Sequence, residues 1–407
     1  MTDATAARFP WRQVVASAFL PTILFSIGEG AIIPIIPIVA SRLGADIAGA
    51  ALVAAMIVVG QLLGDLPAGT LVARIGERVA MIGASVLSIA GVGISILAPN
   101  AWVLGLGILL IGVATAVFAL ARHAFMTTYV PPAYRARALS TLGGTFRLGF
   151  LLGPFVTAGV IQATGAAVNA FWIHLVACLA VIIVLVVLRD PADAVQSRAA
   201  LRAPAGGGAG LFRTIVARRD VLATLGVGAS LIAAMRASRN VILPLWAVSI
   251  GLDGATTSII IGAAAAIDFA LFYAGGWIMD RFGRLWTAVP SMIGLGLAHL
   301  VLAFTHDVPG AVAWFIAVAA LLSLANGIGS GILMTLGADL ADPEHPAPFL
   351  GAWRFTNDAG AAAAPLLIWG VTALVSLPVA AGVVGVLGLA GALNLRIFVP
   401  RYAGGRR

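Results

Sequence analysis

The chain has 407 residues, of which 61% are hydrophobic and only 10% are charged. A soluble domain is about half apolar and a quarter charged, so the composition excludes a soluble protein and predicts an integral membrane protein. The net charge of +8 comes from arginines spread over many loops, whereas a nucleic-acid partner would need them on one soluble face. The single cysteine, Cys178, lies in an apolar run, so neither an intrachain disulfide nor redox chemistry is expected.

Apolar runs long enough to cross a bilayer recur along the whole chain and are separated by short polar turns. Runs of about 20 residues are typical of membrane helices and not of the alternating strands of a barrel. The first run is too long for a cleavable signal peptide and is predicted to stay as the first span. The predicted fold is all-α with about twelve transmembrane helices, at residues 13–40, 47–72, 79–98, 101–129, 138–162, 167–188, 220–248, 255–279, 285–304, 310–337, 349–373 and 376–399.

The distribution of arginine predicts which side of the membrane each loop faces. The segment before the first span and alternate loops after it carry arginines, while the intervening loops carry almost none. Positively charged loops stay in the cytoplasm. We therefore expect a multi-pass protein of the cell (inner) membrane with both termini in the cytoplasm. The residues behind this assignment include Arg8, Arg12, Arg74, Arg78, Arg135, Arg137, Arg281 and Arg284.

A polar segment rich in Gly, Pro and Arg separates the sixth and seventh spans. It predicts an N-terminal six-helix half at residues 1–188, a flexible cytoplasmic linker at 189–219 and a C-terminal six-helix half at 220–407. A constant offset of 207 residues relates the halves without a gap and pairs, among others, Pro37 with Pro244, Asp46 with Asp253, Arg74 with Arg281, Arg147 with Arg354 and Gly153 with Gly360. Two parallel six-helix repeats are an architecture of secondary transporters, which bind substrate between the halves near the membrane midplane.

The chain contains none of the short motifs that would indicate ATP use or hydrolytic chemistry. GxxxxGKS/T loops, HExxH zinc motifs and GxSxG elbows do not occur. The sequence therefore predicts neither ATP-driven pumping nor an enzyme, and no cofactor or metal is expected.

Two equivalent loops resemble the loop motif GxLxDRxGR of the major facilitator superfamily. The segment "GWIMDRFGR" has Gly276, Asp280, Arg281, Gly283 and Arg284 at the motif positions. In that family the loop latches the halves through charged contacts with a neighbouring helix end.

In the first half, "GTLVARIGER" keeps Gly69, Arg74 and Gly76 but has Ala73 in place of the acid and Glu77 in place of a basic residue. The resemblance extends over essentially the whole chain. The missing acid argues against a complete latch in the first half.

Two membrane segments resemble motifs of the 12-span drug:proton antiporters within that superfamily. "IGEGAIIPIIP" resembles lGxxxxxPxxP, and "GFLLGPFVTAG" resembles GxxxGPxxGG in part, through Gly149, Gly153 and Pro154. This resemblance implies proton-coupled efflux of small amphipathic compounds by alternating access, with protons, a small-molecule substrate and the lipid bilayer as partners and a monomer as the working unit. The spacing of Gly149 and Gly153 also fits a purely structural close contact between helices.

Charged residues inside the predicted spans are the candidate functional groups, because each costs about 2.5–3.5 kcal/mol at the centre of a membrane helix. Glu29 lies about 24 Å along the first span, near the midplane. The repeat offset places Arg236 at the matching point of span seven, where the two charges either form an ion pair or are separated by a substrate.

Three acids are candidate proton-coupling groups: Glu29, Asp268 and Asp65. We expect Arg354 and Asp358, four residues apart, to form an ion pair on one helix, whereas Arg147 lacks a local acid. The predicted substrate cavity contains Glu29, Arg236, Arg239, Arg147, Arg122 and Trp246.

The same charges leave two other functions open. Five intramembrane arginines outnumber four acids, and guanidinium groups suit carboxylates or phosphates. A transporter of an anionic or zwitterionic metabolite is therefore an alternative to drug efflux. A membrane sensor that does not transport can use the same fold.

Overall fold

The computed structural model describes residues 15–130, 132–187, 208–342 and 346–403, and all secondary structure in these ranges is helical. Arg8, Arg12 and residues 189–207 of the predicted linker lie outside the described residues. The twelve main helices are α1 (Ala16–Arg42), α2 (Ile47–Ile75), α3 (Glu77–Ile96), α4 (Ala101–Tyr129), α5 (Pro132–Thr164), α6 (Phe171–Val187), α7 (Leu225–Ser249), α8 (Gly254–Phe282), α9 (Arg284–Ala303), α10 (Ala311–Leu340), α11 (Pro346–Leu374) and α12 (Leu377–Ala403).

Each of the twelve predicted spans overlaps one of these helices. Within the described residues, eleven helices are long and apolar enough to cross a membrane. The remaining helix, α11, has 29 residues, which is sufficient length. Its first half carries the polar residues Arg354, Asn357 and Asp358, which lower its hydropathy.

Two of the spanning helices are interrupted for identifiable reasons. Pro34 has no backbone N–H, so α1 passes through one 3-10 turn at Ile33–Ile35 before the α-helix resumes at Ile36. The second interruption separates the α10 segments Ala311–Ile328 and Ile332–Leu340. Gly331 there has φ 80°, a conformation that glycine adopts without strain.

The 207-residue repeat of the sequence is also visible in the local structure. Asp46 caps the start of α2 by accepting a hydrogen bond from the backbone N–H of Gly49 at 2.7 Å. Its repeat mate, Asp253, caps α8 in the same way. Gly76 and Gly283 join α2 to α3 and α8 to α9, with φ values of 81° and 95°. Equivalent residues therefore begin and end equivalent helices.

Glycines allow α1 and α5 to pack with their backbones in close contact. A Cβ atom on Gly153 would lie 2.5 Å from the backbone nitrogen of Ala31, and one on Gly149 would collide with Ser26. Pro154 lies inside α5 directly after this contact. The repeat mate of Gly153, Gly360 on α11, packs equally closely against α7.

The two six-helix groups meet most extensively where α5 packs against α8 and α2 against α11, and α2 also contacts α7. The end of α1 that follows the 3-10 turn also packs against α7. Ile36, Val39, Leu245 and Trp246 there belong to one hydrophobic core. The two groups therefore share one hydrophobic core where the end of α1 contacts α7.

Part of the predicted linker is helical. Residues Gly208–Ala217 and Arg219–Leu222 form two short helices, the first of which packs beside α11. Ile215 packs against the main hydrophobic core, an apolar contact that stabilises the first of these helices.

Candidate functional site

Glu29 on α1 is the most deeply buried acid of the predicted site, with 2% of its surface exposed. The Gln61 side chain donates a hydrogen bond from Nε2 to Glu29 Oε1 at 3.3 Å. Glu29 Oε2 and the Thr115 hydroxyl have no partner at ordinary hydrogen-bond distance among the described residues, although the two side chains lie close enough to interact with each other. Arg122 is the cation whose charge acts on Glu29, and its guanidinium group stacks 4.9 Å from the Phe146 ring centroid.

Glu29 and Arg236 do not form the ion pair that the repeat offset allowed. Arg236 Nη2 instead donates to the backbone carbonyl of Gly329 at 2.5 Å. That carbonyl is available because Gly329 lies at the interruption of α10, where the α-helical hydrogen bonds end.

Arg147 and Asp268 form an ion pair between the two six-helix groups. Arg147 Nη1 on α5 lies 2.8 Å from Asp268 Oδ1 on α8, and Asn326 Nδ2 donates to the same oxygen at 2.9 Å. Arg239 Nη2 lies 3.7 Å from Asp268 Oδ2. We call Arg147, Arg236, Arg239 and Asp268 the arginine cluster. The sequence offered no local acid as a partner for Arg147, and the structure places Asp268 there.

A second ionic contact joins α2 to α11. Arg354 Nε lies 3.3 Å from Asp358 Oδ2, four residues further along α11. Its Nη2 atom also lies 3.2 Å from Asp65 Oδ1 on α2. Because Arg147 and Arg354 are repeat mates, the two connections between the groups use equivalent arginines.

A cavity between α2, α4, α5 and α11 brings the Glu29 surroundings and the Asp65 contacts together. Of the residues predicted for the substrate cavity, Arg122 lines this one, whereas Glu29, Arg147, Arg236 and Arg239 do not. Trp246 does not line it either. It is fully buried in the hydrophobic core, with its ring 5.1 Å from that of His306. The polar, charged and aromatic residues that do line the cavity are Gln61, Asp65, Thr115, Arg122, Phe146, Arg354 and Asp358.

The loop residues that resemble the superfamily motif differ in their contacts. Arg284 binds Asp339, near the end of α10, through two hydrogen bonds, of 2.8 Å from Nε and 3.3 Å from Nη2. Asp280 is exposed, and the Arg281 guanidinium lies 5.7 Å from the Trp277 ring centroid. In the second half the motif arginine therefore connects the loop to a neighbouring helix end.

The first-half loop has Glu77 at the position that corresponds to Arg284. Arg74 is exposed, and neither Gly69 nor its repeat mate Gly276 is needed for a close helix contact, because a Cβ on either would meet nothing within 4 Å. Arg78, which directly follows Glu77, donates a hydrogen bond of 2.6 Å to the Leu185 carbonyl near the end of α6. The two loops thus connect to their surroundings differently.

Sequence reasoning did not identify Gln61, Thr115, Asn326 or Asp339 as parts of these contacts. Gln61 is the repeat mate of Asp268, so each repeat has a polar residue at that depth. A search for all polar residues inside spans, rather than only charged ones, would have found Gln61 and Asn326.

The model of the Major Facilitator Superfamily matches residues 18–365, and a second match covers residues 225–406. The chain belongs to the major facilitator superfamily. The superfamily and its fold are those of membrane transporters, which are not enzymes.

Among curated superfamily relatives, the chain is 29% identical over 160 residues to the uncharacterized MFS-type transporter YfkF of Bacillus subtilis (strain 168). This match covers 38% of the chain and 39% of YfkF.

Two solved superfamily structures share the fold over nearly the whole chain. A POT family transporter in complex with 5-aminolevulinic acid is 12% identical, with a TM-score of 0.78 and 96% of each chain covered. A mutant of the peptide transporter POT in complex with sulfate is 16% identical, with a TM-score of 0.74, and the match covers 96% of this chain and 94% of the other. At these identities the likeness shows the fold.

Proposed function

We propose that the protein is a proton-coupled secondary transporter that works by alternating access, with Glu29 as the group that carries the proton. The observation that carries this proposal is the incomplete bonding of the buried Glu29 carboxyl group. Gln61 satisfies Oε1, while Oε2 has no partner at ordinary hydrogen-bond distance among the described residues and is left with a weaker interaction with Thr115. A purely structural buried carboxylate is expected to have all its acceptors satisfied.

The surroundings of Glu29 suit both forms of a carboxyl group. When protonated, its O–H can donate to the unpartnered Thr115 hydroxyl oxygen. When ionised, it lies in the field of Arg122. Gln61, Thr115 and Arg122 also line the cavity, which gives a proton a path to the space through which a substrate would pass.

One proton is sufficient to drive such transport. A proton that moves down 100 mV releases about 2.3 kcal/mol, which sustains a concentration ratio of roughly 50-fold for a neutral solute. The resemblance of α1 and α5 to drug:proton antiporters supports export in exchange for protons.

The charged side chains of the cavity wall, two acids and two arginines, suit a small zwitterionic compound better than a hydrophobic drug. Four side chains of the wall, Asp65, Arg122, Arg354 and Asp358, are charged, and Phe146 is the aromatic residue that contributes to it among the described residues. The tryptophan predicted to line a drug pocket is in the core. Hydrophobic ligands bind mainly to apolar and aromatic walls.

The test begins with a thermal-shift screen of purified protein against organic anions, zwitterions and cationic dyes. The binding compound is then loaded into proteoliposomes. With Glu29→Gln, flux driven by a pH gradient should be lost, while exchange of labelled for unlabelled compound continues because it needs no net proton movement.

Asp307→Asn is the matched control, because Asp307 is an acid in an exposed loop with 90% of its side chain accessible. It should transport like the wild type. Unchanged pH-driven flux in Glu29→Gln would remove Glu29 from the coupling role. The absence of flux for every compound that binds would favour the sensor alternative.

A further inference from the structure

The arginine cluster contains more positive charge than its surroundings neutralise. Arg147, Arg236 and Arg239 are accompanied by one acid, Asp268. The charges that act on Arg236 come from the other three members of the cluster. Arginine stays protonated in proteins, so the cluster as described has three positive charges and one negative charge.

The guanidinium groups in this cluster also keep unused donors. Arg236 Nε is buried without an acceptor among the described residues. Arg239 Nη1 donates to the Ser323 hydroxyl at 3.3 Å, and its Nη2 atom is 3.7 Å from Asp268. A buried donor without a partner is costly, and an oxyanion would supply the missing acceptors.

The interruption of helix α10 lies beside the cluster. The second segment of α10 begins at Ile332, three residues after the Gly329 carbonyl that binds Arg236. The side chains of Arg147 and Arg239 remain 19% and 15% exposed, so a ligand can reach them.

We propose that the arginine cluster binds the oxyanionic group of the transported compound, a carboxylate, sulfate or phosphate. This proposal rests on the proposed transport function and assigns the substrate class to that function. The ligand oxygens accept hydrogen bonds from Arg236 and Arg239. They also compete with Asp268 for Arg147, which links binding to the ion pair between α5 and α8.

A structural role for the cluster predicts different behaviour. An ion-pair network that only holds helices together works best when its charges balance, and removal of Asp268 would then weaken it further. An anion site predicts that removal of Asp268 raises the affinity for an anion, because Asp268 occupies part of the positive field that the ligand uses.

The experiment measures Kd by isothermal titration on full-length protein in lipid nanodiscs. The probes are sodium benzoate, sodium sulfate and sodium phosphate, with tetraphenylphosphonium as the cationic comparison. We expect at least one oxyanion to bind the wild type. Arg236→Gln and Arg239→Gln should each weaken that binding about 10-fold or more, since hydrogen bonds to charged groups are among the strongest.

Three further variants separate the anion site from the alternatives. Arg42→Gln removes an exposed arginine at the end of α1 and should leave the Kd unchanged. Asp268→Asn should tighten anion binding. Arg236→Lys should retain part of the affinity, because it keeps the charge but loses the planar fork.

Anion binding that survives both glutamine substitutions, or no binding of any probe, would overturn the anion site. Weaker anion binding in Asp268→Asn would also contradict it. The proton-coupling proposal is judged separately by pH-driven flux in Glu29→Gln. Either proposal can therefore fail while the other stands.

Discussion

Replacing Gly153 by alanine tests whether the contact between α1 and α5 holds Glu29 in place. The added methyl group would lie 2.5 Å from the Ala31 nitrogen and 2.6 Å from the Ile27 oxygen. Both atoms belong to the backbone of α1, so no side chain can rotate away, and the helices must separate by roughly 1 Å to restore contact distances. Overpacking of this kind costs about 1–3 kcal/mol.

The matched control is Gly159→Ala on the same helix. A Cβ on Gly159 meets nothing within 4 Å, so that change should raise helix stability by about 0.5–1 kcal/mol. The assay compares thermal unfolding of the purified variants and then their pH-driven flux. Gly153→Ala should be less stable and should also lose flux, because Glu29 moves relative to Gln61. Equal stability of the two variants would refute the reasoning.

The remaining predictions concern one ionic contact and one helix cap. Arg354→Gln leaves Asp65 and Asp358 without their shared cation and should lower stability by about 1 kcal/mol, since Arg354 is partly exposed. A second change, Asp65→Asn, should recover most of the loss in a double-mutant cycle, and additive losses would contradict this account. Asp253→Ala removes the cap of α8 and should cost about 1 kcal/mol at neutral pH. A hydrogen bond from the Thr256 hydroxyl lowers the pKa of Asp253 below its usual value. The cap therefore contributes fully above the unfolded pKa of about 3.9, and its contribution is lost as the pH falls through the lower folded pKa. Unfolding curves recorded between about pH 3 and 7 should show the two proteins converging in acid, and a difference independent of pH would exclude the charged cap.

The positions of the helices could be predicted from the sequence because hydropathy is a property of each segment by itself. The fourth predicted span, 101–129, coincides with α4, Ala101–Tyr129. The 207-residue offset predicted matched positions, and the caps Asp46 and Asp253 show matched local structure. α5 was predicted less well, because its polar first turns before residue 138 do not resemble a membrane segment.

The candidate site could be predicted only as a set of residues. The sequence indicated Glu29, Arg147, Arg236 and Asp268 because charge is rare in membrane helices. It could not assign their partners. Arg147 pairs with Asp268, 121 positions away in the chain, and nothing local to either residue encodes that contact.

The sequence by itself therefore determined the membrane class, the number and order of helices, the repeat and the identity of the intramembrane charges. The tertiary structure decided which charges meet. Each residue along an α-helix turns the side-chain direction by about 100° and advances it by 1.5 Å, so a contact depends on the rotation and depth of two helices at once. Those quantities are set by packing, as where Gly30 and Gly153 bring α1 against α5. For this reason Glu29 lies beside Gln61, and Arg236 lies at the break in α10. The repeat offset alone relates Glu29 to Arg236, but the two side chains do not pair.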